Sequence, residues 1–190
     1  MTLMTLFWTL VVAAQALPVG EQLPRPEEWV RADLATVRLR PAAFRSLPRD
    51  LQADLQRRGC TVPQAFTGGP PHNVIRGRFL KATGFDWAAL CSRHRRSSII
   101  VFWGGSARAV SELAERPDQD FLQVTGPGTI GFSRALGVAT PRFIREHNEQ
   151  YRGRNVPKPD HDGINDIFVE KASVVWYRHR GLWLRLSGAD

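Results

Sequence analysis

The densest group of potentially reactive side chains lies near the carboxyl end of the chain. Four residues there could bind a ligand, namely His161, Asp162, Asn165 and Asp166. Hard cations such as calcium bind several closely spaced oxygen ligands, which makes Asp160, Asp162 and Asp166 weak candidates for a metal site. The segment does not follow an EF-hand loop, because Lys158 would then take the first position and Val169 the twelfth.

A structural role competes with ligand binding in the same segment. Asp162 precedes an apolar stretch, and it would cap a helix expected over residues 164–172, stabilising that helix by about 1 kcal/mol. Capping is the favoured interpretation. The enzymatic alternative is a small periplasmic hydrolase or metal-dependent enzyme that uses this acidic and histidine-containing loop. The five histidines form no HxH or HxxxH pair, no serine lies in a nucleophile-elbow context, and the sequence designates no catalytic residue.

Tryptophan and arginine alternate in the last predicted hairpin. Core or cross-strand packing is the favoured role of the tryptophans on predicted strands, namely Trp87, Trp103, Trp176 and Trp183. The alternative is that Trp176 and Trp183 pair on an exposed face beside Arg178 and Arg185. Arginine over an aromatic ring makes a favourable cation–π contact, and such surfaces suit anionic or glycan partners. We therefore include both tryptophans among the candidate ligand-binding residues.

The charge of the chain also favours an anionic partner. Lys and Arg number 26 against 18 Asp and Glu, so that the formal net charge is +8 at pH 7. The basic residues are almost all arginine, and they are scattered along the chain. Nucleic acid is disfavoured as a partner, because its binding requires a clustered basic footprint.

The amino terminus has the pattern of a secretory signal peptide. An apolar run of about a dozen residues ends in Ala14-Gln15-Ala16, a small-x-small cleavage motif. No Lys or Arg precedes the run, and a misplaced start or a buried helix are the alternatives. The run falls short of the roughly 20 residues that cross a bilayer, so no permanent membrane span is expected after cleavage. We expect a signal peptide over residues 1–16, an irregular lead-in over residues 17–43, and one exported domain, periplasmic or secreted, over residues 44–190.

The chain has two cysteines, Cys60 and Cys91. An even pair in an oxidising compartment favours a disulfide, while two buried free thiols are the alternative. The absence of a CxxC spacing gives no support to a zinc or redox centre.

Residue periodicity predicts an α+β fold. Helices are expected over residues 27–34, from Ser46-Leu47-Pro48 to a stop at Gly59, over residues 108–116, from Thr140-Pro141 onward, and over residues 164–172. Strands over residues 74–80, 85–91 and 98–103 form an antiparallel β-meander, with further strands at 121–124 and in a C-terminal β-hairpin of residues 174–177 and 182–186. Two or three helices would pack on one side of this sheet.

Two resemblances accompany this pattern. The segment from Asn73 to Phe79 followed by Asp86-Trp87-Ala88 resembles one hairpin of FG-GAP or VCBS-type repeats, which implies paired strands. The connecting Lys81-Ala82-Thr83-Gly84 carries no carboxylate, so the calcium loop of those repeats is missing. The chain is also similar to a group of uncharacterised exported bacterial proteins, which implies a shared fold and no known activity. Three segments carry this resemblance, namely Cys60-Thr61-Val62-Pro63-Gln64, the Asp86–Cys91 strand and the closing Trp183…Asp190.

These observations favour a non-enzymatic binding or envelope-associated module. Its expected partner is an envelope protein or an anionic glycan, and no cofactor is expected apart from calcium in the metal-binding alternative. The sequence does not indicate the oligomeric state.

Overall fold

The computed structural model describes residues 23–150 and 157–187. The predicted signal peptide lies outside these residues. The described part contains helices α1 (Pro26–Ala35), α2 (Arg49–Arg57) and α3 (Pro141–Gln150). Its strands are β1 (Arg38–Leu39), β2 (Val62–Pro63), β3 (Val74–Gly77), β4 (Asp86–Arg93), β5 (Arg96–Phe102), β6 (Val110–Pro117), β7 (Leu122–Gly126), β8 (Thr129–Phe132), β9 (Arg134–Ala139), β10 (Gly163–Phe168), β11 (Ala172–His179) and β12 (Leu182–Ser187).

The predicted meander is the first of two four-stranded antiparallel sheets, with strand order β3-β4-β5-β6. His94 and Arg95 have φ of 50° and 57°, and they join β4 to β5 in a tight turn. The short helix predicted over residues 108–116 is wrong, because this segment is strand β6 and pairs with β5. Ala114 has a φ of 55°, which interrupts any helix, and the register of β6 shifts beside it.

The second sheet has the order β9-β10-β11-β12 and contains the predicted C-terminal hairpin. The helix predicted over residues 164–172 is also wrong. That segment forms β10 and the turn into β11, and β10 pairs with β9 on one side and β11 on the other. Asp162 therefore caps no helix. A central strand satisfies its backbone groups through both neighbours, which overrides the local preference for a helix.

Two smaller antiparallel pairs complete the strand content. Strands β7 and β8 form a hairpin, and β1 pairs with β2. The β3–β4 hairpin depends on a glycine, since a Cβ atom at Gly77 would lie 2.5 Å from the ring of Phe79, which is fully buried. Gly77 thus lets the Phe79 ring fold back over its own strand.

The two large sheets pack face to face, with a helix on each outer face. Ala88, Leu90 and Ile99 of the first sheet share a core with Leu136 and Ile164 of the second. The other face of the first sheet packs against α2, and the other face of the second packs against α3. The α+β class is confirmed, but the helices cover opposite sides of a two-sheet sandwich instead of one side of a single sheet.

The predicted disulfide is present between Cys60 and Cys91, with Cα atoms 5.0 Å apart. It joins the segment just after α2, which ends at Arg57, to β4. Backbone hydrogen bonds between Thr61 and Ser92, 3.1 and 2.7 Å long, continue the same junction. The helix expected to end at Gly59 is α2, and Gly59 has the positive φ of 73° that favours glycine after a helix.

The described part of the predicted lead-in contains helix α1 and strand β1. The helix expected over residues 27–34 is α1. After it, the Arg38 guanidinium binds the carboxylates of Asp33 at 2.6 Å and Asp118 at 2.8 Å. This contact ties the segment to the main body, because Asp118 is completely buried. In the described residues, no helix has the length and apolarity needed to cross a membrane.

Candidate functional site

Strand register brings arginine and aromatic side chains to one end of the sandwich. Gly77 pairs with Asp86, and Trp87 pairs with Phe102, so the connections over residues 78–85 and 103–109 lie at the same end of the first sheet. The β11–β12 turn lies at this end of the second sheet. We call this region the basic–aromatic end, and it comprises Arg76, Arg78, Lys81, Phe85, Trp87, Trp103, Arg108, Arg178, Arg180 and Trp183.

The buried carboxylate of Asp86 organises the two connections of the first sheet. Its Oδ2 atom accepts backbone N–H groups of Phe79 at 2.8 Å and Leu80 at 3.0 Å, and its Oδ1 atom accepts that of Gly104 at 2.7 Å. Backbone donors that would otherwise be buried without a partner are thereby satisfied. Asp86 fixes the loops that present Phe85 and Trp103.

The first arginine–aromatic group lies on the outer face of the first sheet. The Arg76 guanidinium carbon is 3.9 Å from the centre of the Phe85 ring and 6.0 Å from that of Trp87. Arg78 approaches the same Phe85 ring at 5.1 Å. Phe85 keeps 43% of its surface exposed, so a ligand can reach both the ring and the two guanidinium groups.

The second group lies where the two sheets meet. Trp103 of the first sheet stacks on Trp183 of β12, with ring centres 5.6 Å apart. The Arg178 guanidinium lies 5.5 Å from the Trp103 ring centre and 5.7 Å from that of Trp183. The alternative of an exposed tryptophan pair placed Trp176 beside Trp183, but Trp103 supplies the stacking partner. Only the packing of the sheets brings these two rings together.

The cations of the basic–aromatic end differ in their ion pairing from several of those at the opposite end. None of its six cationic side chains forms an ion pair with a carboxylate of the described chain, namely Arg76, Arg78, Lys81, Arg108, Arg178 and Arg180. At the opposite end, Arg93 pairs with Glu112, and Arg96 pairs with Glu115 at 2.7 Å. The Arg96 guanidinium lowers the pKa of Glu115 below its ordinary value by a hydrogen bond and by its charge. Six cations without an ion-pair partner among the described residues therefore lie beside the aromatic rings of this end.

His161, which was predicted to bind a ligand, has a packing role. It is buried, and its ring stacks on Tyr177 with 4.5 Å between ring centres. The Tyr177 hydroxyl donates to Asp160 Oδ1 at 3.1 Å and accepts the Asp160 backbone N–H at 3.3 Å. These contacts hold residues 160–162 against β11.

The other polar residues predicted near residue 160 have separate partners. Asp162 Oδ2 accepts the backbone N–H of Arg78 at 3.0 Å, whereas Asp166 forms a two-pronged pair with Arg134 between the sheets. Asn165, the neighbour of Asp166 in β10, projects from the other face of that strand and is paired in register with Val175 of β11. Across residues 23–150 and 157–187, no three His, Cys, Asp or Glu side chains are grouped to hold a metal ion.

Trp176 is half-buried and packs between the sheets. Its indole N–H donates to Asp166 Oδ2 at 3.4 Å. The ring thus contributes to the core around the Arg134–Asp166 pair, and Trp183 is the tryptophan of the hairpin that belongs to the basic–aromatic end.

Two clefts of about 510 and 560 Å³ flank helix α1. Their shared lining is apolar and includes Ala32, Ala35 and Ile130. His72 lines the first cleft, but its Nε2 accepts the backbone N–H of Ala65 at 2.7 Å and is engaged in local structure. Neither cleft contains a group of charged side chains comparable with that of the basic–aromatic end.

Searches of protein-family models, of curated proteins and of solved structures find no match to this chain. The function must therefore be argued from the geometry of the site.

Proposed function

We propose that the protein is an exported, non-enzymatic binding module that recognises an anionic glycan through the basic–aromatic end. The observation that carries this proposal is the set of six cations without carboxylate partners in the described chain, arranged around exposed and half-exposed aromatic rings. The signal-peptide pattern and the disulfide support the assignment to an oxidising compartment outside the cytoplasm.

The chemistry of this surface fits a sugar polymer that bears carboxylate or sulfate groups. Guanidinium groups bind such anions with two parallel hydrogen bonds. Flat aromatic rings provide apolar area against which sugar rings can pack, with Phe85 the most exposed of them. An extended polymer could contact both the Arg76–Phe85 group and the Arg178–Trp103 group.

The test measures binding to three polysaccharides of similar length: alginate, heparin and neutral dextran. Tryptophan fluorescence at low salt follows the titration. We expect saturable binding of an anionic polymer that weakens with salt, and no binding of dextran. The triple substitution Arg76→Gln/Lys81→Gln/Arg180→Gln removes three exposed cations of the site and should weaken binding about tenfold or more, equivalent to roughly 1.4 kcal/mol.

The matched control removes three exposed cations at the opposite end, by Arg96→Gln/Arg116→Gln/Lys171→Gln. It makes the same change in net charge and should alter the affinity less than twofold. Equal weakening by the two triple variants would overturn the proposed site. Failure to bind either anionic polymer would reject glycan recognition and favour a protein partner.

A further inference from the structure

A pocket lies at the end of the first sheet opposite the basic–aromatic end. Its volume is about 450 Å³. Four arginines line it, one from β1, one from the end of α2 and two from the end of β4 and the following turn, namely Arg38, Arg58, Arg93 and Arg95. The lining contains no Asp or Glu. We call it the arginine pocket.

The guanidinium groups of the arginine pocket are held by carboxylates outside its lining. Asp54 accepts the Nε–H of Arg58, and Glu112 pairs with Arg93. Asp33 pairs with Arg95 at 3.4 Å. Side chains held in this manner lose less conformational freedom when they bind a ligand, since their positions are already restricted.

Several donors remain for a ligand. Arg58 uses its Nε–H for Asp54, and its two terminal nitrogens have no hydrogen-bond partner in the described chain. Arg93 engages described partners through Nη2 alone, and Arg95 through Nη1 alone. The nitrogens of Arg38 already bind Asp33, Asp118 and backbone carbonyls, so Arg38 supports the pocket but has no nitrogen left for a ligand.

The walls of the pocket are joined covalently. Arg58 and Gly59 belong to one wall, while Ser92 and Arg93 belong to the other. The Cys60–Cys91 disulfide and the paired backbone hydrogen bonds of Thr61 and Ser92 connect the two walls. This frame keeps donors from distant parts of the sequence at a constant separation.

We propose that the arginine pocket binds a phosphate-type oxyanion, either free phosphate or the phosphoryl group of a small monoester. Guanidinium forks match the geometry of phosphate oxygens, and charge-assisted hydrogen bonds are the stronger class. Four carboxylates pair with the four arginines and offset their formal charge, so recognition depends on directed donors and not on the net charge of the site. The volume leaves room for a substituent beyond the phosphoryl group.

Calorimetric titration of the purified protein with inorganic phosphate, glycerol 3-phosphate and glycerol tests this proposal, with sodium chloride maintaining constant ionic strength. We expect saturable binding of at least one phosphate compound and none of glycerol. Tighter binding of the monoester would identify an esterified ligand, and equal or weaker binding would identify free phosphate. No saturable heat with either compound overturns the proposal.

The variant Arg58→Gln/Arg95→Gln should weaken phosphate binding at least tenfold. Arg96→Gln is the matched control, because Arg96 follows Arg95 in the chain but does not line the pocket, and it should leave the affinity within twofold. Arg95→Gln alone changes an exposed side chain in a turn, so it provides the test if the double variant folds poorly. Unchanged affinity in folded Arg95→Gln and Arg58→Gln/Arg95→Gln proteins would overturn the assignment.

The Arg76→Gln/Lys81→Gln/Arg180→Gln variant should retain phosphate binding, which separates this site from the glycan surface.

Discussion

Among single residues, the buried Tyr177 supports residues 160–162, part of the segment in which a ligand site was predicted. Only 1% of the Tyr177 surface is exposed. Burial raises the pKa of its hydroxyl above the ordinary value, and the hydrogen bond from the Asp160 backbone N–H opposes this shift. His161 covers the ring, so that the two residues act together as packing groups.

Tyr177→Phe should change how stability depends on pH. Because the folded pKa lies above the unfolded value of about 10, the contribution of the neutral phenol is complete below pH ~10 and declines as pH rises through the folded pKa. The variant should lose about 1 kcal/mol at pH 8 through the missing hydrogen bonds, and this difference from wild type should shrink above pH 10.

Urea unfolding at several pH values between 8 and 11 measures this difference. The other tyrosine, Tyr151, lies outside the described residues and is present in both proteins, so that its effect cancels. Parallel decline of the two stabilities above pH 10 would contradict the raised pKa of Tyr177.

At the scale of elements, the disulfide joins a helix to a strand across the wall of the arginine pocket. Cys60 and Cys91 are both buried, and they pack in the core between α2 and the first sheet. The bond therefore restrains the position of α2 as well as closing a loop.

Cys60→Ala/Cys91→Ala should lower the free energy of unfolding by about 3–4 kcal/mol in the chain-entropy model, since the linked residues are 31 positions apart. Urea unfolding of the double variant and of reduced wild-type protein provides the measurement. The two should agree within about 1 kcal/mol if the loss reflects the bond and not a packing defect. A loss below about 1 kcal/mol in both would show that contacts of α2 alone maintain the junction.

At the scale of the whole molecule, an ion pair joins the two sheets. The fully buried Arg134 of β9 donates to both oxygens of Asp166 at 2.8 Å. It also donates to the carbonyl oxygens of Ser97 and Ala114 in the first sheet, each at 2.9 Å. Asn73 adds a second connection, because its side chain bonds to the backbone of Pro63, Arg134 and Leu136.

Arg134→Met should destabilise the protein by about 3–5 kcal/mol, because it leaves the Asp166 charge buried without compensation. The double variant Arg134→Met/Asp166→Leu removes both charges and should recover much of that loss. Thermal or urea unfolding of the three proteins measures the effect. An equal or larger loss in the double variant would show that the arginine bonds to the first sheet, and not the unpaired carboxylate, dominate.

Local sequence signals were sufficient for elements that neighbouring residues define. Boundaries within a few positions are marked by the proline before α2 and the glycine after it, by the threonine before α3 and the proline that begins it, and by the alternating residues of the C-terminal hairpin. Thr140 illustrates this locality, since its hydroxyl accepts the N–H of Phe143 at 3.2 Å. The cysteine pair was also predictable, from an even count and the predicted compartment.

The sequence failed where distant partners determine the conformation. Strand β6 has a helix-like composition, but its backbone is satisfied by β5, and Arg134 from another sheet binds the carbonyl of its bulge residue Ala114. In β10, Asp166 looked like a ligand-binding or metal-binding residue because its true partner, Arg134, lies 32 residues away. Local patterns contain no information about such a partner.

The amino-acid sequence was enough to predict the α+β class, the antiparallel meander and an excess of positive charge, and it favoured the disulfide. Those properties depend on composition and on residues close together in the chain. The division into two sheets, the stacking of Trp103 on Trp183 and the grouping of cations at separate ends were decided only by the tertiary structure. The physical reason is that strand register and sheet packing, which depend on burying apolar faces together, set the distances between side chains far apart in sequence.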